Sequence, residues 1–295
     1  MRVRGFPTRF GQRREVIFFP SGSNRPVEIR ALLKAGSNVG VAAPRVSANG
    51  EAELLRARDV DVFVDSGAFG EVTPGPTGVV VTKPFTHEKW IKVLDLYTRL
   101  ARQLGGRLYA VAPDQVGSQE VTLERMARYG AELRELTALG ARVILPIQQG
   151  PIGMWDLWVQ LLEASGLDPS LAVAGVPCCK CPTPAGEVAE FSEQMNYDHW
   201  EPGRIHILGR GPASPIWEDY AAACWHHHVS ADACRWLAMK GFTSSGKPRR
   251  LQVAHQLAKE TLPEPRAYET AVEQVFRSEI QRLKLSRPVG QMALF

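Results

Sequence analysis

Eight short apolar runs are spaced along this chain, and six of them run straight into a polar residue or a glycine. The clearest is VDVFVDSGAFG at residues 60–70, a buried-strand pattern that ends in Asp65 and turns at Gly67. A carboxylate at the end of such a strand is costly unless it is paired or used. The same arrangement recurs at Asp114, Gln149, Gly175, Gly209 and Asp232.

Taken in order, the expected strands are Glu15–Pro20, Val39–Pro44, the run ending at Asp65, Arg107–Asp114, Arg142–Gly150, Leu171–Pro177, Arg204–Gly211 and His226–Asp232. Helical patterns lie between them, one opening at Thr86 and stopping at Gly105, another capped by Ser118. Residues 71–85, rich in Pro, Gly and Thr, read as a hairpin or flap inserted after the third strand. Eight strands alternating with helices predict an α/β fold, a (β/α)8 TIM barrel with extra C-terminal helices. The expected divisions are a basic N-terminal segment (1–14), the barrel (15–240) and a basic helical extension packed on it (241–295). Pro146 fits its strand only near an end, where its missing N–H is not needed.

With 295 residues, 44% of them hydrophobic and 22% charged, the chain can bury a full core, and no apolar run is long enough for a transmembrane helix. The basic start lacks an apolar core of the signal-peptide kind, so a cytoplasmic protein is expected. The five cysteines, three in the CCKC run Cys178, Cys179 and Cys181, suit reduced thiols better than a disulfide framework. A metal role for that cluster stays open, although adjacent cysteines are poorly placed to chelate one ion. Net charge is only +4, but Lys240–Phe295 carries ten Lys and Arg against five Glu, and five Arg crowd the first fourteen residues. Lys240, Lys247, Arg249 and Arg250 are therefore candidate phosphate contacts, with solvated surface charge as the alternative.

A barrel places its chemistry at the C-terminal ends of its strands, where Asp65, Asp114, Gln149, Gly175 and Asp232 all fall. No Gly-rich phosphate loop appears, and the His-x-His ligands of a metal-dependent hydrolase are missing after the first strand. His226, His227 and His228 read as packing or hydrogen-bonding residues. What remains is carboxylate chemistry of the kind that displaces a group at an anomeric carbon.

The motifs DSGAF, APDQ, IQQG, AGV and HILGRG, with an Asp after the eighth strand, together resemble the queuine-type (7-deazaguanine) transglycosylases over residues 15–240. Those enzymes exchange guanine in nucleic acid for a 7-deazaguanine. Here Gly70 stands where the family usually has Gln, and no cysteine follows Cys234 to build the zinc site of the tRNA-acting members. The departures point to the DNA-modifying, DpdA-like branch, with no metal and no cofactor. The resemblance implies Asp232 as nucleophile at C1′ and Asp65 as acid and base. It implies that Asp114 reads the N1–H and exocyclic amine of guanine. It further implies that Gln149 and the backbone at Gly175 and Val176 read O6 and the position-7 substituent, with Ser66, Gly67 and Gly150 also in the base pocket. Expected partners are DNA, flipped at the target base, and the 7-deazaguanine base; a partner protein or homodimer is left open, and no membrane is expected. Three alternatives stand beside this reading: a tRNA-guanine transglycosylase without zinc, a catalytically inert nucleic-acid-binding barrel, and an unrelated glycosidase barrel.

Overall fold

The structure, a computed structural model, describes residues 2–7, 13–75, 78–179, 181–197, 203–212, 214–224, 226–234, 239–241 and 243–285. Strands β1 (Arg2–Pro7), β2 (Arg13–Pro20), β3 (Val39–Ala42), β4 (Val62–Asp65), β7 (Leu108–Val111), β8 (Arg142–Pro146), β9 (Ala172–Pro177), β10 (Arg204–Leu208) and β11 (His228–Ala233) form one sheet in the order β1-β2-β11-β10-β9-β8-β7-β4-β3. All neighbours pair in parallel except β1 with β2. A parallel bridge between Ser21 and Gly40 brings β2 beside β3 and closes β2, β3, β4 and β7–β11 into an eight-stranded barrel. The Asn38 side chain reinforces this seam, donating to the Phe18 carbonyl and accepting from the Asp61 N–H.

Helices α1 (Pro26–Lys34), α2 (Ala48–Leu54), α3 (His87–Leu104), α4 (Gln119–Ala138), α5 (Met154–Ser165), α6 (Ala185–Tyr197) and α7 (Trp217–Ala223) alternate with these strands. The Ser118 hydroxyl caps α4 by accepting from the Val121 N–H, as its position before an apolar helical pattern predicts. The inserted segment is the expected hairpin, β5 (Val72–Gly75) and β6 (Gly78–Val81). Helices α8 (Arg250–Lys259) and α9 (Arg266–Leu285) follow the barrel; α9 packs on α1, and Tyr268 donates to Glu28 there.

Two differences from the sequence-based expectation stand out. Arg2–Pro7 is a strand, antiparallel to β2, where only a basic lead-in was expected, and Arg9 lies outside the described residues. The fifth strand ends at Pro146, four residues early, with one further bond to β9 from the Ile147 N–H to the Gly175 carbonyl. Residues 235–238, just after the eighth barrel strand, also lie outside the described residues.

Strand periodicity of two sorts the core into two shells. Phe19, Phe63, Tyr109, Val111, Ile144 and Val173 fill the barrel interior, the aromatic centroids of Phe19 and Phe63 5.6 Å apart and those of Phe19 and Tyr109 5.0 Å apart. Their strand neighbours Val62, Val64, Leu108, Ala110, Val143, Leu145, Ala172 and Ala174 join the outer shell under the helices. Among the described residues, no helix is long and apolar enough to cross a membrane.

Candidate active site

The alternation that buries Phe63 inside the barrel also turns Asp65, two residues on, toward its interior. The same count along β11 turns Ser230 and Asp232 inward together, and along β10 it turns His206 and Leu208. A cavity of about 240 Å³ opens at this end of the barrel, lined by Phe63, Asp65, Asp114, Gln148, Leu208 and Asp232 among others. Tyr97 from α3 is fully buried in the outer shell, its hydroxyl donating toward the Val64 carbonyl at 3.2 Å and that of Val111 at 3.0 Å, which ties together the ends of β4 and β7 that lead to Asp65 and Asp114.

Asp232 is nearly buried and held from one side. Its Oδ1 accepts from the Gly209 N–H at 2.8 Å and lies 3.4 Å from His206 Nε2. His206 is fully buried, stacked on Phe63 with centroids 4.7 Å apart, and its Nδ1 lies 2.9 Å from the Ser230 hydroxyl. With Ser230 donating to Nδ1, the Nε2–H is directed at Asp232. The carboxylate is thus fixed through Oδ1.

Asp65 is partly buried and faces the same cavity. Its carboxyl is pushed up to about 6, first by burial and then by the charge of Asp232, while the N–H groups of Gly67 and Ser66 offset part of the rise. Gly67 turns the chain at φ +91°, and a Cβ there would lie 2.5 Å from Pro44 Cγ, so this turn requires glycine. Asp114 is pushed up to about 7, again by burial first and by the charge of Asp65 next. Its Oδ1 accepts from the Ser66 hydroxyl at 3.0 Å and its Oδ2 from Gln148 Nε2 at 2.8 Å. Arg125 on α4 donates to the Asp114 carbonyl and grips Glu71 through two nitrogens, at 3.0 and 2.9 Å, locking the base of the hairpin to the Asp114 loop.

The structure therefore brings together Asp65, Ser66, Gly67, Asp114 and Asp232, and it leaves the other expected site residues outside the lining of this cavity. Gln149 and Gly150 are exposed and line neither this cavity nor the cleft beside it, whereas Gln148 is buried against Asp114 and also accepts from the Gly117 N–H. Gly175 lies lower in β9, where a Cβ would meet Ile144 Cγ2 at 2.8 Å and the Leu145 carbonyl at 3.1 Å; its own carbonyl accepts from Ile147. It is a packing position. Val176 faces the outer shell. Lys240 is paired with Glu28 at 2.9 Å and Arg250 with Glu279 at 2.8 Å, while Lys247 is exposed and Arg249 directly precedes α8; none of the four lines the cavity or the cleft. Cys178, Cys179 and Cys234 line the cavity wall as free thiols. Among the described residues, no cluster of His, Cys, Asp or Glu is arranged to hold a metal ion.

Two functional candidates escaped the sequence reading. His206 shares the period of Leu208 in HILG, which is the signal that would have found it. Phe69 is an exposed aromatic that lines both this cavity and the larger cleft next to it.

No protein-family model matches the chain, and no curated protein does. Among solved structures, a fructose-bisphosphate aldolase from Campylobacter jejuni is similar over 91% of this chain and 87% of its own, with a TM-score of 0.48 and 10% identity.

Gln148→Ala is expected to destabilise the fold by roughly 1–3 kcal/mol, because Asp114 and the Gly117 N–H both lose a partner. Gln149→Ala, at an exposed position, should stay within about 0.5 kcal/mol of the wild type. Urea unfolding of both variants checks the pair; the opposite ranking would put Gln149, not Gln148, in the buried network.

Proposed function

We propose that this protein is a nucleic-acid guanine transglycosylase, exchanging guanine in DNA for a 7-deazaguanine such as 7-cyano-7-deazaguanine. The observation that carries the reading is the pairing of two unlike carboxylates on one cavity. Asp232 is fixed by the Gly209 N–H and His206, and Asp65 faces the same space with its carboxyl pushed up to about 6. Two carboxyls held in different environments suit a nucleophile and an acid–base group. The motif resemblance supplies the reaction class.

In this reading, Asp232 attacks C1′ of the target nucleoside with its free oxygen as the C1′–N9 bond breaks. The bonding pair leaves with guanine, which takes a proton from Asp65. A glycosyl ester on Asp232 results. Asp65, now a carboxylate, removes the proton from N9 of the incoming deazaguanine, whose nitrogen attacks C1′ and releases Asp232. Two inversions give net retention. Asp114 accepts from the donor edge that guanine and its 7-deaza analogues share, while Gln148 and Ser66 hold it in position.

Duplex DNA incubated with the protein and 7-cyano-7-deazaguanine, then digested to nucleosides, is expected to yield the deazaguanine deoxynucleoside by mass spectrometry. Label found in tRNA instead would change the acceptor. Label in neither would remove the transglycosylase reading.

A further inference from the structure

The catalytic cavity does not stand alone. A second cleft of about 550 Å³ shares Phe63, Asp65, Phe69, Asp232 and Cys234 with it and continues outward past the β3–α2 loop and the foot of the β5–β6 hairpin. Its rim carries three exposed cations, Arg45 on that loop and Lys83 and Lys89 between β6 and the first turn of α3. Among the described residues none of the three has a carboxylate partner in an ion pair, and the one glutamate on the rim, Glu71, is engaged by Arg125. Lys89 instead sits 5.7 Å from the Phe85 ring centroid.

We propose that this second cleft is the groove that seats the phosphodiester strand on either side of the extruded nucleoside, with Arg45, Lys83 and Lys89 gripping its phosphates. The inference rests on the transglycosylase reading for what enters the cavity, but it is carried by charge and shape. A nucleoside whose C1′ lies between Asp65 and Asp232 with its base in the smaller cavity must place its sugar and flanking phosphates in the adjoining space. Two carboxylates at that junction would repel a polyanion unless cations bordered it, and three do. The exposed ring of Phe69 at the junction offers a stacking surface for a base out of its helix, where stacking is worth about 1–3 kcal/mol per base. The grip on nucleic acid thereby moves from the C-terminal basic segment, where Lys240 and Arg250 are committed to Glu28 and Glu279, to the mouth of the barrel.

The test measures fluorescence anisotropy of a short fluorescein-labelled single-stranded oligonucleotide containing one guanine, in DNA and RNA forms, against salt concentration. In whichever strand the wild type binds, Lys83→Gln with Lys89→Gln is expected to raise Kd at least about tenfold and to make the slope of log affinity against log salt shallower by about 1.4, roughly 0.7 for each phosphate that is no longer neutralised. The control pair Lys247→Gln with Arg249→Gln removes the same charge and is expected to leave the slope unchanged. Equal losses in both pairs, an unchanged slope in the first, or no binding by the wild type overturns the groove. Base exchange by the wild type is read separately by mass spectrometry. Exchange with strand binding indifferent to Lys83 and Lys89 removes the groove and keeps the reaction, while dependent binding without exchange keeps the groove and removes the reaction.

Discussion

Asp232→Ala is expected to abolish base exchange, lowering turnover by at least about a thousandfold while strand binding survives. The size follows from the role: without a nucleophile the reaction must form its glycosyl cation without a covalent partner, and the remaining groups can only orient and protonate. Removal of the carboxylate also leaves the Gly209 N–H and the buried His206 without their acceptor, a loss of roughly 1–3 kcal/mol in stability. Asp232→Asn separates the two effects, since its amide oxygen can still accept from Gly209 and His206 but is not a nucleophile. Both variants are expected to lose turnover, and only the alanine should unfold measurably earlier in urea. A second readout concerns the intermediate. Wild-type protein mixed with guanine-containing DNA and denatured quickly should carry a covalent DNA adduct, and Asp232→Asn should carry none. An adduct that persists in Asp232→Asn would move the nucleophile to another residue.

The reason these residues converge is readable in the chain to a definite depth. Strand, helix and hairpin order follow from apolar runs, Gly and Pro stops and the Ser118 cap, and Asp65 and Asp232 follow from their place at strand ends. Beyond the strand ends, the residues that line the cavity follow from strand periodicity carried past the last ladder bond. From Ile144 inside the barrel, a period of two passes through Pro146 to Gln148, so Gln149 was out of phase with the cavity from the start. The same count turns the Val176 side chain outward, while Gly175 and Pro177 share the inward phase of Val173. His206 was hidden for a different reason, because a histidine among Ile205, Ile207 and Leu208 reads as packing until its hydrogen bond to Asp232 is seen. Local composition also does not show that Lys240 and Arg250 of the basic segment pair with Glu28 and Glu279. Conversely, Arg45, Lys83 and Lys89 are scattered singly, and only closure of the barrel gathers them on one rim.

Asp65→Asn is expected to lower turnover by roughly a hundredfold to ten-thousandfold, the usual range for a lost acid–base group, and to change the pH dependence in a specific direction. Asp114 must be ionised to accept both donors of the guanine edge, so in the wild type base affinity should fall as pH drops through about 7. Burial is the main cause of that high value and remains in the variant. The charge of Asp65 is the second cause and is removed, so the acid limb of base affinity moves to lower pH without reaching the ordinary carboxylate range. Stability should shift as well. The folded protein holds the Asp65 proton more tightly than the unfolded chain, with a carboxyl near 6 against an ordinary value of 3.8, so native stability is lost as pH rises between those values. Asparagine carries no such penalty. The variant should therefore be more stable than the wild type at pH 8, with the gap narrowing as pH falls through 6. Guanine titrations from pH 5 to 8 and urea unfolding at the same values measure both effects. An unmoved acid limb would uncouple Asp65 from Asp114, and a variant less stable at pH 8 would mean that Asp65 is held by interactions stronger than the burial that raises it.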